Sequence, residues 1–227
     1  MTRIGRPPTY AVRSDYFGVL TPDSAYVVGL MQADGSNQRD RGSVRITLKR
    51  SDSALLAAIS DRMAGGRPLR FDGYGNPTLA VQNRPLSDGL AAWGVVSPKT
   101  HTASTHPALL LDRDYWRGVV DGDGTLCDTA EHRKILALVG TRAICEQFLA
   151  FCRHHGAGLR CNVHPNRSIC TVKVSGADAV RVANALYLGA GLALDRKRAT
   201  AARWGVRAMG DQGLGDEPLF DLNQVVQ

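Results

Sequence analysis

Residues 25–35 read AYVVGLMQADG and residues 114–124 read DYWRGVVDGDG. Each stretch is apolar around a central glycine, Gly29 or Gly118, and closes on a carboxylate between small residues, Ala33-Asp34-Gly35 and Gly122-Asp123-Gly124. The two acids stand 89 residues apart (123 minus 34). That interval is too long for a solenoid repeat and implies two related half-domains, each supplying one equivalent acid to a shared site.

The chemistry follows from the pattern. The apolar residues of each phrase fall along one side of a helix, and the glycines leave no side chain between the axes, so the two helices can pack closely and release Asp34 and Asp123 at the same end. Carboxylates brought together raise each other's proton affinity unless a cation relieves them. A hard divalent ion, magnesium first, suits oxygen ligands of this kind and can stabilise charge on a phosphodiester under attack. The alternative is that Asp-Gly merely ends a helix, glycine being a common C-terminal stop. Against it, an acid in the last turn opposes the helix dipole at a cost on the order of a few tenths of a kcal/mol, and two matched instances need a reason. A calcium loop in DGDGT fails, because Leu126 stands where the loop glycine belongs and His132 where the bidentate glutamate belongs.

Composition bounds the partners. The 227 residues, 44% hydrophobic and 22% charged, are those of a globular protein with one good core or two small fused ones. No apolar run has the length of a membrane span and MTRIGRPPTY has no signal-peptide core, which predicts a cytosolic protein. Five cysteines without a CxxC pair point to reduced thiols. A net charge of +7 favours a polyanionic partner. Cys152, His154, His155, Cys161, His164 and Cys170 lie close in sequence, but the cysteines fit core positions and no pair has zinc-finger spacing. No nucleophile elbow supports Ser-His chemistry.

Along the chain, residues 1–20 form an arm. Thr21-Pro22-Asp23 opens the first phrase helix with a capping hydroxyl, a first-turn proline and an acid. GSVRITLKR (42–50) alternates as a half-buried strand with a basic face. Asp52 caps a helix to Ala64, strands at 67–71 and 78–84 flank the turn at 72–77, and a short helix covers 86–94. The second half repeats the order: Asp112 caps the second phrase helix, then come a strand at 133–139, a helix from Thr141 to His155, strands at 159–164 and 168–174, and a helix at 177–188. Each half thus reads helix, strand, helix, strand pair, helix. The glycine-rich, acidic end is a loose tail.

Val27-Val28-Gly29-Leu30-Met31-Gln32-Ala33-Asp34-Gly35 and Trp116-Arg117-Gly118-Val119-Val120-Asp121-Gly122-Asp123-Gly124 resemble the signature of the LAGLIDADG homing endonucleases, and the element order over roughly residues 20–205 is similar to that family's repeat. Two motifs in one chain resemble its single-chain, pseudo-dimeric members. The resemblance implies an α+β fold of two αββαββα-type halves forming a β-sheet saddle, with the motif helices at the central interface. It divides the chain into an arm (1–20), a first half (21–98), a linker (99–111), a second half (112–207) and a tail (208–227).

What the resemblance implies about function is a monomeric, site-specific endonuclease for double-stranded DNA, acting in intron homing. It would hydrolyse both strands across the minor groove and leave short 3′ overhangs. Asp34 and Asp123 would hold metal with the carbonyls of Ala33 and Gly122. Mg2+ would be the working ion, Mn2+ a substitute, and Ca2+ an ion that binds without cleavage. Lys99 and Lys197 match the basic residue late in each repeat, and Lys49 the strand residue that reaches the water network. The second half has Val139-Gly140 where Lys49 would recur, so the cleavage centres are expected to be unequal. Gln32 replaces the usual acid at its position, and Trp116 and Arg117 are bulky for a helix interface, which suggests an asymmetric pairing of the two motif helices. Arg45, Thr47, Lys49, Arg70, Gln82, Arg84, Arg160, Asn162, Thr171 and Lys173, read as polar strand faces, would form a basic surface against DNA able to reach base edges and phosphates. In a bacterial or phage-infected cell the protein would sit at the nucleoid when bound. The alternatives are a DNA-binding transcriptional regulator that keeps the scaffold without cleaving, and an intron RNA maturase.

Overall fold

The structure, a computed structural model, describes residues 10–98 and 102–205. The first half runs α1 (Pro22–Ala33), β1 (Gly35–Gln38), β2 (Ser43–Thr47), α2 (Ser53–Ala64), β3 (Arg70–Phe71), β4 (Pro77–Gln82) and α3 (Arg84–Ala92). The second half repeats it as α4 (Arg113–Asp123), β5 (Gly124–Asp128), β6 (Lys134–Gly140), α5 (Arg142–His154), β7 (Val163–Asn166), β8 (Ile169–Ser175) and α6 (Ala177–Tyr187), followed by α7 (Asp195–Arg203). Each half is an antiparallel four-stranded sheet, ordered β1-β2-β4-β3 and β5-β6-β8-β7. The α+β architecture of two αββαββα halves is as the resemblance implies. Among the described residues no helix is long and apolar enough to cross a membrane.

The sheets were built by alternation. Val44 and Ile46 of β2, Leu79 and Val81 of β4, Leu136 and Leu138 of β6, and Val172 and Val174 of β8 are buried, covered by the apolar stripes of the helices. Caps behave as their chemistry dictates. Ser24 N donates to Thr21 Oγ1 at 3.2 Å and Thr21 N to Ser24 Oγ at 2.8 Å, a reciprocal box, while Asp112 accepts from Tyr115 N at 2.8 Å and Thr141 from Ile144 N at 3.2 Å.

Several expectations are corrected. Residue patterning placed three strands in each half; β1 and β5 are the missing fourth, and their GSNQ and GTLCD have no alternation to announce them. The strand placed at 159–164 lies instead at 163–166, so Arg160 and Asn162 stand in the preceding loop, exposed. Arg84 is the first residue of α3 rather than part of a strand, and it bonds Asp88 and the Asp40 carbonyl. Asp52 does not cap α2 with its side chain: it closes the 3-10 turn Arg50–Asp52 that runs directly into α2, and its carboxylate accepts from Arg196 Nε. Residues 10–20 pack on the first half: Tyr16 and Phe17 are in the core, and the Phe17 carbonyl accepts from Trp93 Nε1 at 2.7 Å. Lys99, residues 1–9 of the arm and the tail at 208–227 lie outside the described residues.

Candidate active site

The site is assembled by a helix seam. A Cβ built on Gly29 would lie 2.0 Å from the carbonyl oxygen of Tyr115, and one on Gly118 would lie 2.1 Å from that of Tyr26. The two contacts are each other's image under the 89-residue repeat, so α1 and α4 pack isologously, backbone against backbone, as two subunits of a symmetric dimer would. Only glycine permits that approach.

The motif glycines after the acids are not left-handed helix stops, although Gly124 is the C-cap of α4 and its N–H donates to the Val120 carbonyl. Neither Gly35 nor Gly124 has positive φ; each begins a strand. A Cβ on Gly35 would lie 2.4 Å from Met31 Sδ and one on Gly124 would lie 2.5 Å from the Val120 carbonyl oxygen. These glycines let the chain reverse tightly from helix into sheet, which leaves the preceding acids at the turn.

At that foot the two phrases touch. A Cβ on Gly122 would lie 2.3 Å from Ala33 Cβ and 3.2 Å from Asp34 Oδ2, which puts the Asp34 carboxylate beside the peptide that precedes Asp123. Asp34 is exposed and Asp123 half-buried, and both charges act on the Lys197 ammonium. The donors available here are two carboxylates and the carbonyls of Ala33 and Gly122, all hard oxygen, a set that fits Mg2+ or Ca2+ rather than a soft ion. Among the described residues no group of three or more His, Cys, Asp and Glu converges.

Two clefts open beside this foot, one per acid. The Asp34 cleft is lined by Thr47, Lys49, Asp52, Asn76, Gly122, Thr125 and Arg196. The Asp123 cleft is lined by Gln32, Ala33, Ala103, Val139, Gly140, Thr141 and Ile144. Of the expected basic residues, Lys49 is therefore with Asp34. Lys197 is buried in the seam instead: its ammonium donates to the carbonyls of Val120 (2.5 Å), Asp121 (2.7 Å) and Gly124 (2.7 Å), which uses all three N–H groups on the end of α4. Burial pulls this ammonium down from 10.5 to about 8; the Arg196 charge acts in the same sense, and Asp121, Asp34 and Asp123 oppose it.

Asp121, not singled out from sequence, is the hub beneath. Fully buried, its carboxylate accepts from Tyr26 Oη (2.8 Å), Tyr187 Oη (2.7 Å) and Leu194 N (2.8 Å), tying both motif helices to α6 and the start of α7. Burial pushes its carboxyl up, against the Lys197 charge and these hydrogen bonds, and it drives the Tyr26 and Tyr187 hydroxyls well above 10.0. Arg117, the bulky motif residue, is equally buried: it donates to the Leu192 carbonyl (2.8 Å) and the Leu186 carbonyl (3.1 Å), pairs with Asp114 at 2.6 Å and lies 5.2 Å from the Tyr26 ring centre. Trp116 packs on Phe148 and Phe151 of its own half.

The expected strand-face residues divide. Arg45 and Thr47 of β2, Arg70 of β3 and Gln82 of β4 share the open face of the first sheet, Arg45 opposite Ala80 and Thr47 opposite Thr78, and all four are exposed. In the second sheet Lys173 is exposed opposite Ala137 and Thr171 is half-buried opposite Val139. The signal for Asp121 was present as a second acid in WRGVVDGD, and for Arg196 as the cation beside Lys197; spacing alone did not say which pointed where.

No protein-family model and no curated protein matches the sequence. Solved structures do. The homing endonuclease I-WcaI bound to its DNA recognition sequence is 13% identical, covers 87% of this chain and 95% of its own, and superposes with a TM-score of 0.57. The LAGLIDADG meganuclease I-AabMI bound to uncleaved DNA is 12% identical over 80% of this chain and 88% of its own, TM-score 0.55. I-SmaMI bound to uncleaved DNA target in the presence of calcium ions is 12% identical over 82% and 90%, TM-score 0.53. The chain has the fold of the single-chain LAGLIDADG homing endonucleases.

Proposed function

We propose that this protein is a site-specific endonuclease that binds double-stranded DNA as a monomer along its two sheet faces and hydrolyses both strands, leaving short 3′ overhangs. The observation that carries the reading is the meeting of Ala33-Asp34 with Gly122-Asp123 at the foot of a glycine seam. DNA-bound neighbours of the same fold, one of them with calcium, support it. Asp34, Asp123 and the carbonyls of Ala33 and Gly122 would hold divalent metal, with Mg2+ as the working ion. When bound, such an ion supplies a Lewis acid that offsets charge on the phosphoryl group. Lys49 orders the attacking water and its proton in the Asp34 cleft, and Lys99 has the same role late in the first half. Lys197 acts as a positioning residue, holding the carbonyls at the end of α4 so that Asp123 keeps its place. Arg45, Arg70, Gln82 and Lys173 contact the duplex.

The test begins with binding selection from a randomised duplex library in calcium, followed by incubation of the selected duplex with Mg2+ or Mn2+. Specific double-strand cuts, lost in Asp34→Asn and Asp123→Asn while binding of the selected duplex survives, are the expected result. Tight, sequence-selective binding by wild type with no cut in either metal would sink the nuclease in favour of a regulator.

A further inference from the structure

The late basic position of the second half holds two adjacent cations with different fates. Helix geometry turns about 100° per residue, so Arg196 and Lys197 cannot face the same way. Lys197 goes into the seam, and Arg196 lines the cleft that contains Asp34, Lys49, Asn76 and Thr125. It is anchored there from the opposite half: Arg196 Nε donates to Asp52 Oδ2 at 3.3 Å, 144 residues away in sequence. The Asp52 side chain is only 5% exposed whereas that of Arg196 is 45% exposed, so the buried acid holds the stem end of a guanidinium whose remainder is open to the cleft. Asp52 ends the 3-10 turn Arg50–Asp52 that leads directly into α2 and makes no side-chain capping bond, so its Oδ2 is available to Arg196.

The Asp52 carboxylate is nearly buried and needs a partner, and the guanidinium that serves it keeps its outer end in the cleft. A guanidinium fork held by one nitrogen keeps further donors in a plane suited to a phosphate. We infer that Arg196, aimed by Asp52, is the phosphate-contacting residue of the Asp34 centre, which is therefore built from both halves of the chain. The inference rests on the proposed DNA reading. It assigns Arg196 as a direct contact and Asp52 as its positioning residue.

Two readouts test it. In calcium, where binding is measured without cutting, wild type and Arg196→Met are titrated with the selected duplex across a salt series; loss of one phosphate contact lowers the slope of log K against log salt by about 1. Arg196→Lys, which keeps charge without the fork, recovers the slope and shows that the methionine variant's loss is not misfolding. In magnesium, with each strand end-labelled, Arg196→Met slows the strand that Asp34→Asn also slows by about a hundredfold while the other strand stays within about threefold. Asp52→Asn leaves the salt slope intact and slows that same strand, the mark of a positioning role. An unchanged salt slope in Arg196→Met overturns the inference, as does equal slowing of both strands. If wild type binds but never cuts, and the slope still falls in Arg196→Met, the nuclease reading fails while the phosphate contact stands.

Discussion

At the foot of α1, Asp34 faces Lys49, Asn76, Thr47, Thr125, Asp52 and Arg196; at the foot of α4, Asp123 faces Val139, Gly140, Thr141 and Ile144. The strand faces leading to them differ in the same sense. Where β2 offers Arg45 and Thr47, its counterpart β6 offers Ile135, Ala137 and Val139, half-buried. The backbone repeat is thus kept while the side chains around it have diverged, and one further element adds to the difference. Among the described residues α7 has no helical counterpart in the first half, and it sends Lys197 under its own half and Arg196 across to the other. A duplicated seam needs symmetry only where backbones touch; beyond that contact each half is free to specialise.

The largest expected effect probes the symmetric part. Gly29→Ala and Gly118→Ala each force a methyl into a backbone carbonyl at 2.0–2.1 Å, and each should destabilise by about 3 kcal/mol or more. Denaturant titration should find the two losses similar; a tolerated alanine at either site would break the isologous seam.

Next comes a pair at one repeat position, Gln32 and Asp121, also 89 residues apart (121 minus 32). Asp121→Ala strands two tyrosine hydroxyls and the Leu194 amide and removes the buried negative charge beside the Lys197 ammonium, at about 3 kcal/mol. Gln32, whose Nε2 is buried with no partner among the described residues, should cost about 1 kcal/mol or less when replaced by alanine. Equal costs in thermal or urea unfolding would erase the asymmetry proposed for the buried layer.

Lys197→Met leaves three carbonyls at the end of α4 without their donor, and about 2 kcal/mol should be lost. The same variant sharpens a pH prediction. Lys197 has 10.5 as its ordinary value and about 8 in the fold, so between these limits the unfolded chain binds more protons and folding gains stability as pH rises. Cys145 and Cys152 work the other way: their thiols are raised by burial from 9.0 to about 11 and about 12, so the fold loses stability above pH 9. The wild-type minus Lys197→Met difference isolates the lysine. It should climb from pH 8 to 10.5, and a flat difference would mean that the ammonium is not buried as described.

The smallest effect concerns strand order. On the nuclease function proposed above, the richer Asp34 cleft predicts that its strand is cut about tenfold faster than the other, so a supercoiled plasmid carrying the target should pass through a nicked circle. Linear product forming without that intermediate would argue that the two clefts are equivalent.

Much of this was legible in the chain. The twin phrases and the caps Thr21, Asp112 and Thr141 announced helices that are present, and alternation announced β2, β4, β6 and β8, because both signals are local and periodic. β1 and β5 were not legible, since a short strand set by a helix-to-sheet reversal needs no hydrophobic alternation of its own. Asp52 looked like a cap and Arg84 like a strand residue because local rules were the only ones available; Arg196 and Asp88, remote or one helical turn away, claimed them instead.

By itself, then, the sequence determined that there are two equivalent helices, each with a glycine at its waist and an acid at its foot, because periodicity and small residues are written locally. Only the tertiary structure decided which of two neighbouring cations enters the seam and which enters the cleft. That choice depends on the rotation of α7 against α4 and on a buried acid from the other half, and both are set by packing between segments far apart in the chain.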